Sequence, residues 1–173
     1  MNWYALFVET GRETLIQSWI QYFFEESVCY SVVPKRRLTE KRQGEKHQVI
    51  KNMFPGYVFI YTDMCVEVYY RLSEMPKMIK VLSDGHYWSD ISDDEMAPVL
   101  KLVGKNGIIE CSRIYIENST VFVKDGPLQG MEEMIKRVDK RKSRATIVLD
   151  FMGKHRMIDL GIELVDKRKG VQH

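Results

Sequence analysis

Lys51-Asn52-Met53-Phe54-Pro55-Gly56-Tyr57-Val58-Phe59-Ile60-Tyr61 is the stretch whose reading decides the fold. From Tyr57 onward it is aromatic and β-branched enough to be a buried strand. Its first half breaks the rules for a central strand. Pro55 donates no backbone hydrogen bond and Gly56 adds no side-chain packing, so the strand is expected to open with a bend at a sheet edge. Phe54 and Tyr57 flank that bend, where a ring can point outward. On pattern alone the two rings serve equally well as core.

On the N-terminal side, Trp3, Ala5 and Phe7 alternate with Tyr4, Leu6 and Val8, the pattern of a strand with two apolar faces. Thr10-Gly11 makes a turn. Leu15, Ile16, Trp19, Ile20, Phe23 and Phe24 then recur at helical spacing, which predicts an amphipathic helix over 12–25 with its aromatic stripe in the core. Val28 to Pro34 is a second strand. Residues 35–47 carry six basic side chains against two acidic ones and almost nothing apolar, the composition of an exposed hairpin or loop. Such a tip is either merely solvated or turned toward phosphates.

On the C-terminal side, Val66, Tyr69, Tyr70, Leu72 and Met75 predict a second helix stopped by Pro76. Met78 to Leu82 is a short strand and Asp84-Gly85 a turn. Ser92-Asp93-Asp94-Glu95 has the form of a capping box, with three acids at the positive end of a helix dipole. That accounts for the acidic cluster at Asp90, Asp93, Asp94 and Glu95 without calcium, which needs a different spacing and a glycine. Met96, Val99, Leu100 and Val103 give this third helix its apolar face, and Gly104 terminates it.

Residues 106–118 are expected to link the two halves, with Ile108, Ile109, Ile114, Tyr115 and Ile116 able to pack on a neighbour. Beyond them, strands over 121–124, 134–139, 144–151, 155–160 and 162–165 alternate with Gly126-Pro127, Gly130, Gly153 and Gly161. Five short strands in under fifty residues predict a small β-barrel. Charge is uneven. Residues 1–105 hold 13 Lys and Arg against 14 Asp and Glu, whereas residues 119–173 hold 12 against 8. Positive charge concentrated at one end is the asymmetry of a nucleic-acid contact.

Lys136-Arg137-Val138-Asp139-Lys140-Arg141-Lys142-Ser143-Arg144 is the densest part of that charge. On a hairpin, alternate residues point one way and the turn adds its own cations. Lys154 and Arg156, on the next hairpin, are expected to join the same face. A charged edge would by itself block sheet aggregation, but six cations in nine residues exceed that need. The reading is an RNA surface that holds the backbone and shape of its ligand.

No enzyme constellation appears. His47, His86, His155 and His173 lack ligand spacing with each other or with Cys29, Cys65 and Cys111, which are odd in number and scattered. No phosphate-cradling glycine loop and no nucleophile motif is present. A non-enzyme without cofactor or metal is expected. No apolar run approaches a membrane span and no signal-peptide pattern opens the chain, so the expectation is a cytoplasmic monomer without membrane contact.

Phe54-Pro55-Gly56-Tyr57-Val58, some fifty residues after Trp3-Tyr4, resembles the N-terminal domain of the NusG family of transcription elongation factors. Val121-Phe122-Val123-Lys124-Asp125-Gly126-Pro127-Leu128 with Val138-Asp139 resembles the KOW domain of the same family, in the family's order. The resemblance covers nearly the whole chain. It implies an α+β fold: an antiparallel sheet with packed helices over 1–105, a linker over 106–118, an SH3-like KOW barrel over 119–168 and a tail over 169–173. It implies that Phe54, Pro55 and Tyr57 grip the clamp helices of the bacterial RNA polymerase largest subunit. In the general factor the KOW domain binds Rho or a ribosomal protein.

The basic barrel here, with Asp150-Phe151-Met152-Gly153-Lys154 and Asp159-Leu160-Gly161-Ile162-Glu163, looks most like the LoaP-type antiterminators, which recognise a hairpin in the nascent RNA. That likeness implies RNA contacts at Lys136, Arg137, Lys140, Arg141, Lys142, Arg144, Lys154 and Arg156. Lys35, Arg36, Arg37, Lys41, Arg42 and Arg71 are further candidate contacts, non-template DNA among their ligands. One departure is Glu133, where the family usually has a turn glycine; if that turn needs a positive φ, glutamate is costly there. The rival readings are a general NusG factor with a protein-binding KOW domain and a free-standing RNA-binding protein in which Phe54 and Tyr57 are core.

Overall fold

The structure, a computed structural model, describes residues 1–167. It divides into two compact units, each drawing on two separate parts of the chain: Met1–Pro34 with Asn52–Ala97, and Lys35–Lys51 with Pro98–His173. The expected tail at 169–173 lies outside the described residues. No helix among the described residues is long and apolar enough to cross a membrane.

The first unit is an α+β layer. Strands β1 (Asn2–Val8), β2 (Cys29–Val32), β5 (Tyr57–Thr62) and β6 (Met78–Val81) form a sheet in the order β2-β5-β1-β6, with β7 (Asp90–Ile91) also pairing β1. Each recorded pairing in this sheet is antiparallel. Helices α1 (Glu13–Phe23) and α2 (Val66–Ser73) supply one layer, and α3 (Asp93–Leu102) follows β7. Because side chains alternate along a strand, β1 and β5 each present two sets. Tyr4, Leu6, Val8, Val58 and Ile60 cluster with Ile16, Ile20 and Phe24 of α1 and its C-cap and with Val68 and Leu72 of α2, forming the core. Trp3, Ala5 and Phe7 pair with Tyr61, Phe59 and Tyr57 on the opposite, aromatic face.

The capping box at the start of α3 is formed. Glu95 N–H donates to Ser92 Oγ at 3.3 Å, and Ser92 N–H donates back to the Glu95 carboxylate at 3.3 Å.

The second unit is β-rich. Strands β9 (Ser112–Glu117), β10 (Thr120–Asp125), β11 (Ile135–Asp139), β12 (Arg144–Phe151) and β13 (Lys154–Leu164) form a sheet in the order β10-β9-β13-β12-β11. Its core is built from Ile114, Leu128, Ala145, Ile147, Leu149, Phe151, Leu160 and Ile162, all buried. Two expectations change here. Residues 112–117 are not linker but a strand of this sheet, since Ser112, Arg113 and Ile114 pair in parallel with Ile162, Glu163 and Leu164 of β13. The strands expected at 155–160 and 162–165 are one strand, β13, which leaves β12 at Gly161 and pairs β9 from Ile162. The concern about Glu133 also resolves: it sits in a short 3-10 turn, Glu132–Met134, and the nearby left-handed residue is Gly130, at φ 78°.

The basic segment over 35–47 proves to be part of a hairpin, β3 (Lys35–Arg42) and β4 (Glu45–Asn52). Its turn is Gln43-Gly44, both left-handed at φ 52° and 84°, as two-residue hairpins favour. The strand β8 (Ile108–Ile109) pairs β3 in parallel, giving the order β4-β3-β8.

Candidate functional site

Phe54-Pro55-Gly56-Tyr57 closes as a tight turn. Tyr57 N–H donates to the Phe54 carbonyl at 3.2 Å, and Gly56 has φ 85°. Proline at the second position and a positive φ at the third are the marks of a type II turn, so only glycine is comfortable at 56. A residue missed by the sequence reading holds the turn in place. Glu13, the first residue of α1, is 1% exposed and accepts from Gly56 N–H at 2.6 Å and from Gly11 N–H at 2.8 Å. No local pattern marks it, because its partner is 43 residues away.

The turn corrects one expectation. Phe54 does not point outward; it is 4% exposed, with its ring edge-on to Phe59 at 5.3 Å. Reversing the chain at Pro55-Gly56 lays the ring back on the strand it precedes, where burial of a phenyl group is worth about 2 kcal/mol. Tyr57 is half-buried, tilted against Phe7 at 5.6 Å and stacked over Phe59 at 6.4 Å, while Pro55 is exposed. The accessible part of the motif is therefore Pro55 and the outer part of Tyr57.

The basic residues sort by geometry. Alternation along β3 sets Arg36, Leu38, Glu40 and Arg42 on one side, and Leu38 is fully buried there. Arg36 donates to the Asp159 carbonyl of β13, and Arg37 makes a two-point pair with Glu110 at 2.6 and 3.3 Å. β3 approaches β13 closely because residue 161 is glycine: a Cβ there would fall within 3.0 Å of the Arg37 carbonyl and of Cys111 Sγ. Lys35 donates its backbone N–H to Gly107 and stands in register with Ile108 of β8. Of the residues expected as nucleic-acid contacts, Arg36 and Arg37 thus anchor the hairpin through their side chains and Lys35 through its backbone. Burial pushes the Arg36 guanidinium down from its usual range, and neighbouring Arg144 adds to that against Asp159.

Past these anchors the hairpin and the β11–β12 tip enclose a cleft of about 550 Å³. Its cations are Lys41, Arg42 and Lys46 from the hairpin and Arg141, Lys142 and Arg144 from the tip. One carboxylate, Glu40, stands among them, paired to Lys51, to Arg42 at 3.7 Å and to Arg144 at 3.9 Å. The Lys51 hydrogen bond, more than the other cations, holds its carboxyl below the usual carboxylate range. The tip is shaped by Ser143, left-handed at φ 55°, and by Asp139, which accepts from Lys142 N–H at 2.9 Å and is thereby held low as well.

The remaining candidates fall elsewhere. Arg137 stands opposite Thr146, on the same sheet face as Arg144, and Lys136 is the unpaired residue of a bulge beside it; both are exposed, as is Lys140. Lys154 and Arg156 do not join them. They stand opposite Phe151 and Leu149, on the other face, at the far end of β12. An eight-residue strand at about 3.4 Å per residue separates the two ends by about 24 Å. Arg71 lies in the first unit, donating to the Phe23 carbonyl with its guanidinium 4.2 Å over the Phe24 ring. Lys46 was in the basic run but was not singled out, since only the hairpin turn brings it across from Lys41.

The units differ sharply in charge. The first carries 4 Lys and Arg against 12 Asp and Glu, a balance of −8; the second carries 22 against 12, a balance of +10. Cutting the sequence near residue 105 hides this, because the hairpin's cations cancel against the acids around it.

The family described as "Transcription termination factor nusG" matches residues 1–100. Among similar proteins, the "Transcription termination/antitermination protein NusG" of Pseudomonas aeruginosa is 24% identical, over 96% of this chain and 98% of its own. The protein of the same name from Bacillus subtilis is 25% identical, over 96% and 98% respectively. A solved structure, "Domain interaction in Thermotoga maritima NusG", covers 92% of this chain and 93% of its own with a TM-score of 0.56 at 20% identity, a likeness of fold.

Proposed function

Because the chain belongs to the NusG family, as a NusG-like transcription termination/antitermination factor, we propose that it is a processive antiterminator recruited by RNA. The first unit holds bacterial RNA polymerase, at the clamp helices of its largest subunit. Pro55 and Tyr57 make the contact, and Phe54 and Glu13 hold the turn that presents them. Bound there, the protein opposes pausing by preferring the elongating conformation of the enzyme, with no bond chemistry of its own. The second unit holds a hairpin in the emerging transcript. Tethering lets two modest contacts reinforce each other through effective concentration.

The observation that carries this reading is the +10 balance of the second unit, with Lys140, Arg141 and Lys142 exposed at one turn. A charge of that size and placement selects a polyanion and makes its binding salt-dependent. The test is a gel shift of the full chain on a structured RNA at two salt concentrations, beside a polymerase pull-down. The expected result is tight RNA binding that weakens steeply with salt, and a pull-down lost in Tyr57→Ala without loss of fold. RNA binding that is weak and insensitive to salt would refute the RNA assignment.

A protein-binding KOW domain, the habit of the general factor, has one observation in its favour. Tyr115 and Phe122 stack across β9 and β10 at 5.1 Å, and Phe122 is 38% exposed, an apolar spot on the β-rich unit. Loss of partner binding in Phe122→Ala, with RNA binding negligible in the parent, would favour that reading.

A further inference from the structure

The hairpin β3–β4 and the tip β11–β12 belong to one compact unit and line one cleft, although 98 residues of sequence separate Arg42 from Lys140. We propose that they form a single RNA-backbone clamp, in which Lys41, Arg42 and Lys46 hold the same phosphate run as Arg141 and Lys142. This rests on the RNA reading above and adds where the RNA lies and what grips it.

Four features point to a polyanion in the cleft. Six cations face one carboxylate, and Glu40 is already answered by Lys51. Among the described residues, Lys41, Lys46 and Arg141 form no ion pair, so their charge is not spent inside the protein. Arg144 also lines the cleft, and its recorded ion pair, to Glu40 at 3.9 Å, is with the carboxylate that Lys51 already holds. Finally, the hairpin is anchored at its base, by Arg36 on Asp159 and Arg37 on Glu110, which holds its distal cations opposite the tip.

The lining also indicates how RNA is held. Among the described residues no aromatic side chain lines the cleft, so bases have no ring to stack on from them. Contacts from lysine and arginine to phosphate position a strand and carry no sequence information. The clamp is expected to respond to RNA shape and length, with any base reading done outside it.

The test uses the full chain and a fluorescein-labelled RNA hairpin of mixed sequence, with affinity measured by anisotropy from 50 to 300 mM salt. Lys41→Gln/Arg42→Gln/Lys46→Gln is compared with Arg141→Gln/Lys142→Gln, their combination, and Arg12→Gln/Lys77→Gln/Lys80→Gln, which removes equal charge from the first unit. A milder Lys41→Gln/Lys46→Gln leaves the Arg42–Glu40 pair intact in case the triple variant unfolds. The clamp predicts that the hairpin variant loses affinity by ~10-fold or more and lowers the salt slope by about 2 to 3, as the tip variant does by about 2, with the first-unit control unchanged.

Loss in the tip variant alone would overturn the clamp while leaving the RNA reading intact. Absence of salt-dependent RNA binding in the parent would overturn both. Equal binding and equal losses on duplex DNA of the same sequence would assign the cleft to DNA and overturn its assignment to RNA.

Discussion

The two units solve the same problem, holding a loop in place, by opposite means. In the first, acidic at −8, the loop is the turn at Phe54–Tyr57 and the holder is one buried carboxyl group, Glu13. In the second, basic at +10, the loop is a whole hairpin held by arginines at its base and by a glycine that lets two strands meet. A carboxyl group can accept several backbone N–H donors from inside an otherwise apolar layer. Guanidinium groups have only donors, so they reach for carbonyls and acids at an edge and stay half in water. The contrast fits the surfaces each unit offers: apolar rings on one, unspent cations on the other.

The comparison breaks first at Glu13. Glu13→Ala leaves the buried Gly56 N–H without an acceptor, and such a loss from a charge-assisted pair is expected to cost about 2–3 kcal/mol. Thermal unfolding should fall by several degrees, and amide exchange should quicken at Gly56 and Tyr57 while the hairpin at 35–51 keeps its protection. Unchanged exchange at Gly56 would mean the turn stands without its carboxyl partner.

Next comes Gly161→Val. Its side chain would collide with the Arg37 carbonyl and Cys111 Sγ, and overpacking of this kind costs about 1–3 kcal/mol. The hairpin should lift, seen as faster exchange along β3 and as RNA affinity falling toward that of the hairpin variant. Retained affinity would show that the hairpin does not need its seat on β13 to act.

The smallest effect is a pH response. Glu40 titrates below its ordinary value because Lys51 bonds its charged form, so its contribution is present above the unfolded value and fades as pH falls through the folded one. Its main partner Lys51 is half in water, so the change in stability is small. As pH falls through that lowered value, the protonated Glu40 releases Lys51 and Arg42, and the cleft gains positive charge. RNA binding should strengthen slightly there, and Glu40→Gln should reproduce the gain at neutral pH. Identical affinities for parent and Glu40→Gln would show that this carboxylate does not temper the cleft.

Much of the fold was legible because it rests on short-range rules. Alternation announced β1, aromatic and β-branched content announced β5, and glycine punctuation announced β12; helical spacing announced α1 and α2; Ser92 to Glu95 announced the start of α3 through a bond only three residues long. Pro55-Gly56 announced a bend, and the structure adds that it is a type II turn. The interrupted barrel was harder. Residues 112–117 read as linker because a strand that completes a sheet through distant partners carries no special local mark, and its pairing to β13 spans some fifty residues.

What the sequence determined by itself was the inventory: which segments could be strands or helices, where the chain must turn, and that lysine and arginine cluster at 35–47 and 136–144. Those depend on side-chain volume, backbone freedom and local charge, which any short window contains. Only the tertiary structure decided that Phe54 lies inward, that Glu13 meets Gly56, that Lys154 and Arg156 face away from Arg144, and that the two cationic clusters line one cleft. All but the first, where Phe54 meets Phe59 five residues on, relate residues at least ten positions apart in the chain. Such distances follow from strand register and from the close approach at Gly161, so no local pattern of residues contains them.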